Sequence, residues 1–206
     1  MAASPGKETE IKLRVDSPGE ASRRIAVAGF EITRARVFET NLLLDTAHGS
    51  LQARGEALRV RERGGETILT YKGPVERGLH KSREEIETAC GEASALLAIF
   101  ARLGFVPTWR YEKFRTEFTR PGEAGVATLD ETPIGVFIEL EGDGNWIDSS
   151  AAHLGFLEKD YITESYSALF RQYCQQNGFE TGAGMTFGEP PSGNLRGMTT
   201  GRMKDT

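Results

Sequence analysis

The stretch KETEIKLRV, residues 7–15, alternates without a break: Glu8, Glu10, Lys12 and Arg14 carry charge, and Thr9, Ile11, Leu13 and Val15 fall between them. Period two is the signature of a β-strand, whose side chains point to opposite faces in turn. One face is apolar; the other is wholly ionic and carries both signs. The habit recurs along the chain. In ALRVRER (57–63) Arg59, Arg61 and Arg63 lie opposite Leu58 and Val60. ETILTYK (66–72) places Thr70 with Lys72, and SREEIET (82–88) places Arg83 with Glu85 and Glu87. WRYEKFRTEF (109–118) aligns Lys113, Arg115 and Glu117 opposite Phe114 and Phe118. VATLDE (126–131) aligns Thr128 and Asp130, and VFIELEG (136–142) aligns Glu139 and Glu141 opposite Val136, Ile138 and Leu140.

Strands of this kind fold in one of two ways. The ionic faces look out to water over a sandwich core, as antiparallel sheets often arrange it. Alternatively the sheet closes into a barrel, with ions inside and apolar residues outside under covering helices. Pattern alone leaves both open. The second accounts for so many Glu and Lys residues at strand positions, where they are disfavoured. It also supplies an apolar surface for the segment EASALLAIFARL (92–103), which reads as a helix ended by Gly104. Further helices are expected at 18–29, 145–154 and 164–176, an extended run at 31–46, and a β-hairpin turning on Gly64-Gly65. From Gly178 the periodicity stops. Residues 1–179 are expected to form one mainly β, α+β domain, with 180–206 a disordered tail.

Composition narrows the function. The 206 residues hold 25 Lys and Arg against 30 Asp and Glu, a net charge of −5. Without a basic block, nucleic-acid binding driven by bulk charge is not expected. No apolar run approaches the roughly 20 residues of a membrane helix, and no signal peptide precedes the first strand, so no membrane partner is expected. The two cysteines, Cys90 and Cys174, make neither a disulfide framework nor a zinc site, which fits a reducing cytoplasm. His48, His80 and His153 are scattered.

Ions turned into a closed interior are costly unless they are paired or matched to a ligand. A triphosphate, with about four negative charges near neutral pH, suits Arg and Lys from several strands, Arg gripping phosphate oxygens in pairs. Carboxylates suit Mg²⁺ or Mn²⁺, hard cations that take oxygen ligands. Salt-bridge ladders without any ligand would show the same pattern.

The segment ETEIK (8–12) matches the ExExK signature of the CYTH superfamily, the triphosphate tunnel metalloenzymes. The order of the downstream segments strengthens the match. LRVRERGGETILTYKGP (58–74) resembles the family's paired-arginine strand, hairpin and lysine strand. SREEIET resembles its R-x-E-x-E strand, YEKFRTEF (111–118) its K-x-R strand, and LDETPIGVFIELEG (129–142) its acidic return and E-x-E strand. ITESYSALF (162–170) resembles its C-terminal helix. The resemblance covers residues 7–176. It implies an eight-stranded antiparallel closed barrel around a triphosphate tunnel. It implies metal ligation by Glu8, Glu10, Glu139 and Glu141, with Mg²⁺ or Mn²⁺ as cofactor. Asp130, Glu85 and Glu87 would support the metals or the attacking water. Lys12, Arg59, Arg61, Lys72, Lys113 and Arg115 would cradle the phosphates. Lys159, in LEKDY, would be a further tunnel lysine, and Arg83 would either bind phosphate or pair with a glutamate.

Members of the family divide between triphosphate hydrolysis and adenylyl cyclisation. Class IV adenylyl cyclases often carry a His-Phe pair shortly before ExExK; here MAASPGK stands in that place. The expectation is therefore a metal-dependent triphosphatase acting on tripolyphosphate or on a nucleoside or thiamine triphosphate, with a class IV cyclase as the alternative. Thiamine would call for an aromatic platform, for which Trp109, Tyr111 and Trp146 are candidates, each also readable as a packing residue. The expected partner is a small triphosphate; a homodimer is left open.

Overall fold

The structure, a computed structural model, describes residues 6–76, 78–182 and 184–188. Its strands are β1 (Gly6–Val15), β2 (Glu31–Thr46), β3 (Ala57–Arg63), β4 (Glu66–Lys72), β5 (Lys81–Cys90), β6 (Phe105–Thr119), β7 (Val126–Thr132), β8 (Gly135–Glu141) and β9 (Gly184–Met185). Its α-helices are α1 (Pro18–Val27), α2 (Ser50–Ala53), α3 (Ala93–Arg102), α4 (Gly144–His153) and α5 (Tyr166–Asn177). The strands neighbour one another in the order β2-β3-β4-β5-β1-β8-β7-β6, and β6 pairs back onto β2. That last pairing closes eight antiparallel strands into a barrel, which leaves no long edge to recruit another chain.

Closure depends on the two longest strands. β2 and β6 pair from Glu31↔Thr119 to Thr46↔Phe105, with three register shifts along the way. Such bulges bend a strand and raise its twist. The β3–β4 turn needs left-handed backbone at Gly64 (φ 53°) and Gly65 (φ 84°), which glycine adopts at least cost.

The choice between the two architectures falls to the barrel with ions inside. Ile11, Leu13 and Val15 of β1 and Ile138 and Leu140 of β8 point outward into a core completed by Ala21 and Ile25 of α1 and Ile147 and Ala151 of α4. A smaller apolar cluster sets α3 against Leu44 and Val60, and a third sets Tyr166, Leu169, Phe170 and Cys174 of α5 against Tyr111 and Phe137. The first two clusters seat outward apolar stripes under helices; the third lies on the inward side, since Tyr111 shares the face of Lys113 and Phe137 that of Glu139, so α5 packs against the channel lining.

Two elements differ from expectation. The one-turn α2 lies in a stretch to which the sequence pattern assigns no element; Asp45 builds it by accepting the backbone N–H groups of Leu51 and Gln52, each at 2.9 Å. Within the segment expected as a disordered tail, Gly184–Met185 adds a short parallel strand beside Arg110–Tyr111, on the stretch of β6 that β7 does not reach. Met185 is buried there, and the Phe187 N–H donates to Glu112. Residues 189–206 of that segment lie outside the described residues. Among the described residues no helix is long and apolar enough to cross a membrane.

Candidate active site

The inward faces enclose a channel of about 1160 Å³. Adjacent strands bring unlike charges to partner positions: Glu8↔Arg83 and Glu10↔Lys81 on β1–β5, Lys12↔Glu139 on β1–β8, and Lys72↔Glu85 on β4–β5. Around β2, Glu39↔Arg63 and Glu39↔Lys113 do the same, and Asn41 partners Arg61. Glu8, Glu10, Lys12, Arg59, Arg61, Lys72, Arg83, Glu85, Glu87, Lys113, Arg115, Glu139 and Glu141 all line this one space. Asp130 lies fully buried in its wall. Lys159 does not join them: it is exposed on the 3₁₀ turn Glu158–Asp160, which lies outside the barrel wall, and a water-facing lysine loses no hydration there.

One part of the channel is rich in carboxylates. Lys72 bridges Glu8 (2.8 Å) and Glu85, and Glu10 takes both Lys81 and Lys12, the latter at 3.2 Å. Glu141 is the β1–β8 partner of Glu10, so two carboxylates face each other. Burial, a hydrogen bond shared with Glu85 and the charge of Glu10 push Glu8 up to about 7. Burial and the charges of Glu8 and Glu10 push Glu141 up to about 7 as well. Glu141 keeps an exposed edge at the channel mouth, so water screens it and Glu8 carries the effect more fully. Burial works against ionised Glu10, but Lys12, Lys81 and Lys72 outweigh it and hold that carboxyl well below the usual range.

A second part is rich in cations. Arg115 forks onto Asp130 (2.7 and 2.6 Å) and also meets Glu139, and Lys113 reaches Asp130 at 2.7 Å. Arg59 contacts Thr70 at 3.1 Å and lies 3.5 Å from Glu87; Arg61 Nε donates to Asn41 at 3.0 Å. Burial and the neighbouring charges of Arg59 and Arg115 lower Arg61, despite Glu39. Among the described residues Arg59 Nε and Asn41 Nδ2 are buried without a hydrogen-bond partner, as are both oxygens of Glu39, which meet Arg61, Arg63 and Lys113 only at 3.6–3.8 Å. Buried donors without acceptors, beside a guanidinium already crowded by like charge, fit an anion.

The carboxylate part fits a hard divalent cation by the chemistry of its donors, all of them Glu oxygens, and by the repulsion that lifts Glu8 and Glu141. As they stand, these side chains are spread over lysines: among the described residues no three carboxylates converge tightly enough to hold a metal ion.

Four residues of the channel and its wall escaped the sequence. Glu39 and Asn41 sit in VFETNLLLDT, where the run Leu42–Leu44 hides the alternation. Lys81 precedes the segment read as a strand, and Tyr166 belongs to a helix, to which period two does not apply. Glu39 is fully buried; burial opposes its charge, but Lys113, Arg115 and Arg61 outweigh that and hold it at about 2. Of the aromatic candidates, Trp109 and Tyr111 line the channel, stacked at 5.0 Å, whereas Trp146 packs outside on Phe30 and donates to Glu123.

Residues 6–166 match the CYTH domain. A Methanocaldococcus jannaschii protein named as a candidate adenylate cyclase is 30% identical over 135 residues, 65% of this chain and 75% of that one. A Vibrio parahaemolyticus protein of the same description has a solved structure that superposes with a TM-score of 0.71 at 20% identity, over 82% of this chain and 99% of that. The Hippeastrum protein HpAC1, described as an adenylyl cyclase candidate with a dominant triphosphatase activity, superposes with a TM-score of 0.58 at 21% identity, over 81% and 96%. Likeness at such low identity speaks for the fold alone.

Proposed function

This chain belongs to the CYTH domain family, and from that premise we propose that it hydrolyses a triphosphate, with Mg²⁺ or Mn²⁺, inside the barrel. The observation that carries this reading is the single channel that Glu8, Glu10, Glu139 and Glu141 share with Arg59, Arg61, Lys113 and Arg115; within it the carboxyls of Glu8 and Glu141 are lifted by burial and like charge, and the guanidinium of Arg61 is lowered. A ligand that brings both cation and polyanion relieves both. A divalent ion, when bound, would neutralise phosphate oxygens and acidify water. Glu8, Glu10, Glu139 and Glu141 would hold it.

The chain's own part is positioning and electrostatics. Arg61, which bonds Asn41 and lies 3.6 Å from Glu39 through Nε alone, and Arg59 draw phosphate oxygens in. Lys12, Lys113 and Arg115 surround the same space and meet charge as it develops on the phosphoryl group. Asp130 and Glu39 keep those cations from repelling one another when no phosphate is bound. Glu85 and Glu87 orient Lys72, Arg59 and Thr70. The closed wall limits bulk water, so each interaction acts in a low dielectric.

Cyclisation of ATP is the second reading, favoured by the name of the 30% identical relative and by the aromatic pair Trp109 and Tyr111, on which a base could rest. Incubation with ATP and with tripolyphosphate in Mg²⁺ or Mn²⁺, with product analysis, decides. Pyrophosphate with phosphate, or ADP with phosphate, supports hydrolysis; cyclic AMP with pyrophosphate supports cyclisation; no product overturns both.

A further inference from the structure

Asp130 is fully buried and takes four hydrogen bonds: two from Arg115, one from Lys113, and one from the hydroxyl of Tyr166 at 2.8 Å. Three of them fall on Oδ2. A carboxylate so occupied has little capacity left for a metal ion or an attacking water. Its work is to hold two cations of the phosphate wall, and the last donor comes not from a strand but from the first residue of α5, which itself lines the channel.

Tyr166 does more than donate. Its ring lies 5.3 Å from the ammonium groups of both Lys12 and Lys113, within cation–π range. Phe137 packs edge-on against it at 5.6 Å. Just upstream, Ile162 and Lys12 exchange backbone hydrogen bonds at 2.8 and 2.9 Å, so the segment leading into α5 is stitched to β1 at the residue whose side chain Tyr166 covers.

We infer that Tyr166 is a positioning residue of the phosphate wall: through Asp130 and its own ring it sets Lys12, Lys113 and Arg115 for a bound polyphosphate. The inference rests on the proposed triphosphate reading. With the hydroxyl gone, Lys113 and Arg115 share Asp130 alone and are drawn to it more tightly, away from phosphate.

The test is calorimetric binding of tripolyphosphate in Mg²⁺ to the full chain, with melting temperatures recorded alongside. Tyr166→Phe keeps the ring and loses one hydrogen bond to a charged acceptor; affinity is expected to fall about ten-fold. Tyr166→Leu also loses the ring over both lysines and is expected to weaken binding several-fold more. Phe170→Leu, further along α5 and buried on the same helix face, loosens the helix without touching Asp130. It is expected to lower the melting temperature and leave affinity unchanged. Unchanged affinity in a folded Tyr166→Phe protein overturns the inference, as does an equal loss in Phe170→Leu. If the native chain binds no tripolyphosphate, the proposed function falls first and takes this inference with it.

Discussion

Glu10 and Glu141 are partners in the β1–β8 ladder, two carboxylates set side by side in a channel wall; Glu10 is in direct ion pairs with Lys12 and Lys81, whereas Lys72 and Arg115 act on Glu141 only from a distance. Directly opposed like charges weaken a sheet. The two residues therefore respond in opposite ways to the same substitution. Glu141→Gln removes a repulsion and is expected to raise the stability of the metal-free protein, by less than about 1 kcal/mol because the site is screened. Glu10→Gln strands Lys81 and leaves Lys12 with Glu139 alone, and is expected to lower it by about 3 kcal/mol. Both are expected to lose Mg²⁺- or Mn²⁺-dependent turnover. Denaturant titration of each variant in chelator checks the first pair of outcomes, and turnover assays check the second.

Acidity supplies another prediction. Glu8 is lifted in the folded state to about 7, from an ordinary value of 4.5. The folded chain then holds this proton more tightly than the unfolded chain, so between about pH 4.5 and 7 stability falls as pH rises. Glu10, Glu39 and Asp130 are depressed and act in the other window: their contribution is present above the usual carboxylate range and is lost as pH drops towards 2. In chelator, stability is expected to peak near pH 5 and to be lower at 7.5 by on the order of 2 kcal/mol, with the melting temperature following it. Glu8→Gln is expected to flatten the limb above pH 5. A metal-free native protein at its most stable near pH 8 would contradict this.

How far these features were legible depends on the geometry of each element. Glu8, Arg59, Arg61, Lys113, Arg115 and Glu139 were readable because a flat, half-apolar strand enforces strict alternation. Whether their ionic faces look in or out was not, because closure rests on the β2–β6 pairing between residues up to 88 apart, Glu31↔Thr119. Pattern within one segment carries no such information; resemblance in the order of several segments did. Glu39 and Asn41 were hidden by adjacent leucines, and Tyr166 by its helix. Lys159 shows the converse: a charged residue in a recognisable segment faces water when no strand turns it inward.

Trp109 offers a reporter. The chain has two tryptophans, and Trp146 lies outside the barrel against Phe30. In a Trp146→Phe background the emission belongs to Trp109, which lines the channel. A nucleoside or thiamine triphosphate whose ring stacks there is expected to quench it, and tripolyphosphate is not. Trp109→Ala is then expected to weaken the organic triphosphates about ten-fold, within the range of about 1–3 kcal/mol for aromatic stacking, and to leave tripolyphosphate unchanged. Equal loss for both ligands would remove Trp109 from any role in recognising the organic group.

Arg61 separates affinity from stability. Its guanidinium is buried among Arg59 and Arg115, its single good hydrogen bond goes to Asn41, and its proton is held less tightly than usual. A cation in a field of like charge is a strain on the empty barrel and an attraction for an anion. Saturating tripolyphosphate is expected to raise the melting temperature of the native protein, since a ligand that binds only the folded state at about 100 times its Kd adds about 2.7 kcal/mol. Arg61→Met, similar in reach and uncharged, is expected to lower the stability of the ligand-free protein by no more than about 2 kcal/mol, because relief from Arg59 and Arg115 partly offsets the lost bond to Asn41 and the lost ion pair with Glu39, which keeps Arg63 and Lys113. The same variant is expected to lose most of the tripolyphosphate-induced shift. Scanning calorimetry on both proteins, with and without tripolyphosphate, measures the two effects together. A variant that is strongly destabilised yet shifts like the native protein would show Arg61 to be a packing residue and would move the anion site elsewhere in the channel.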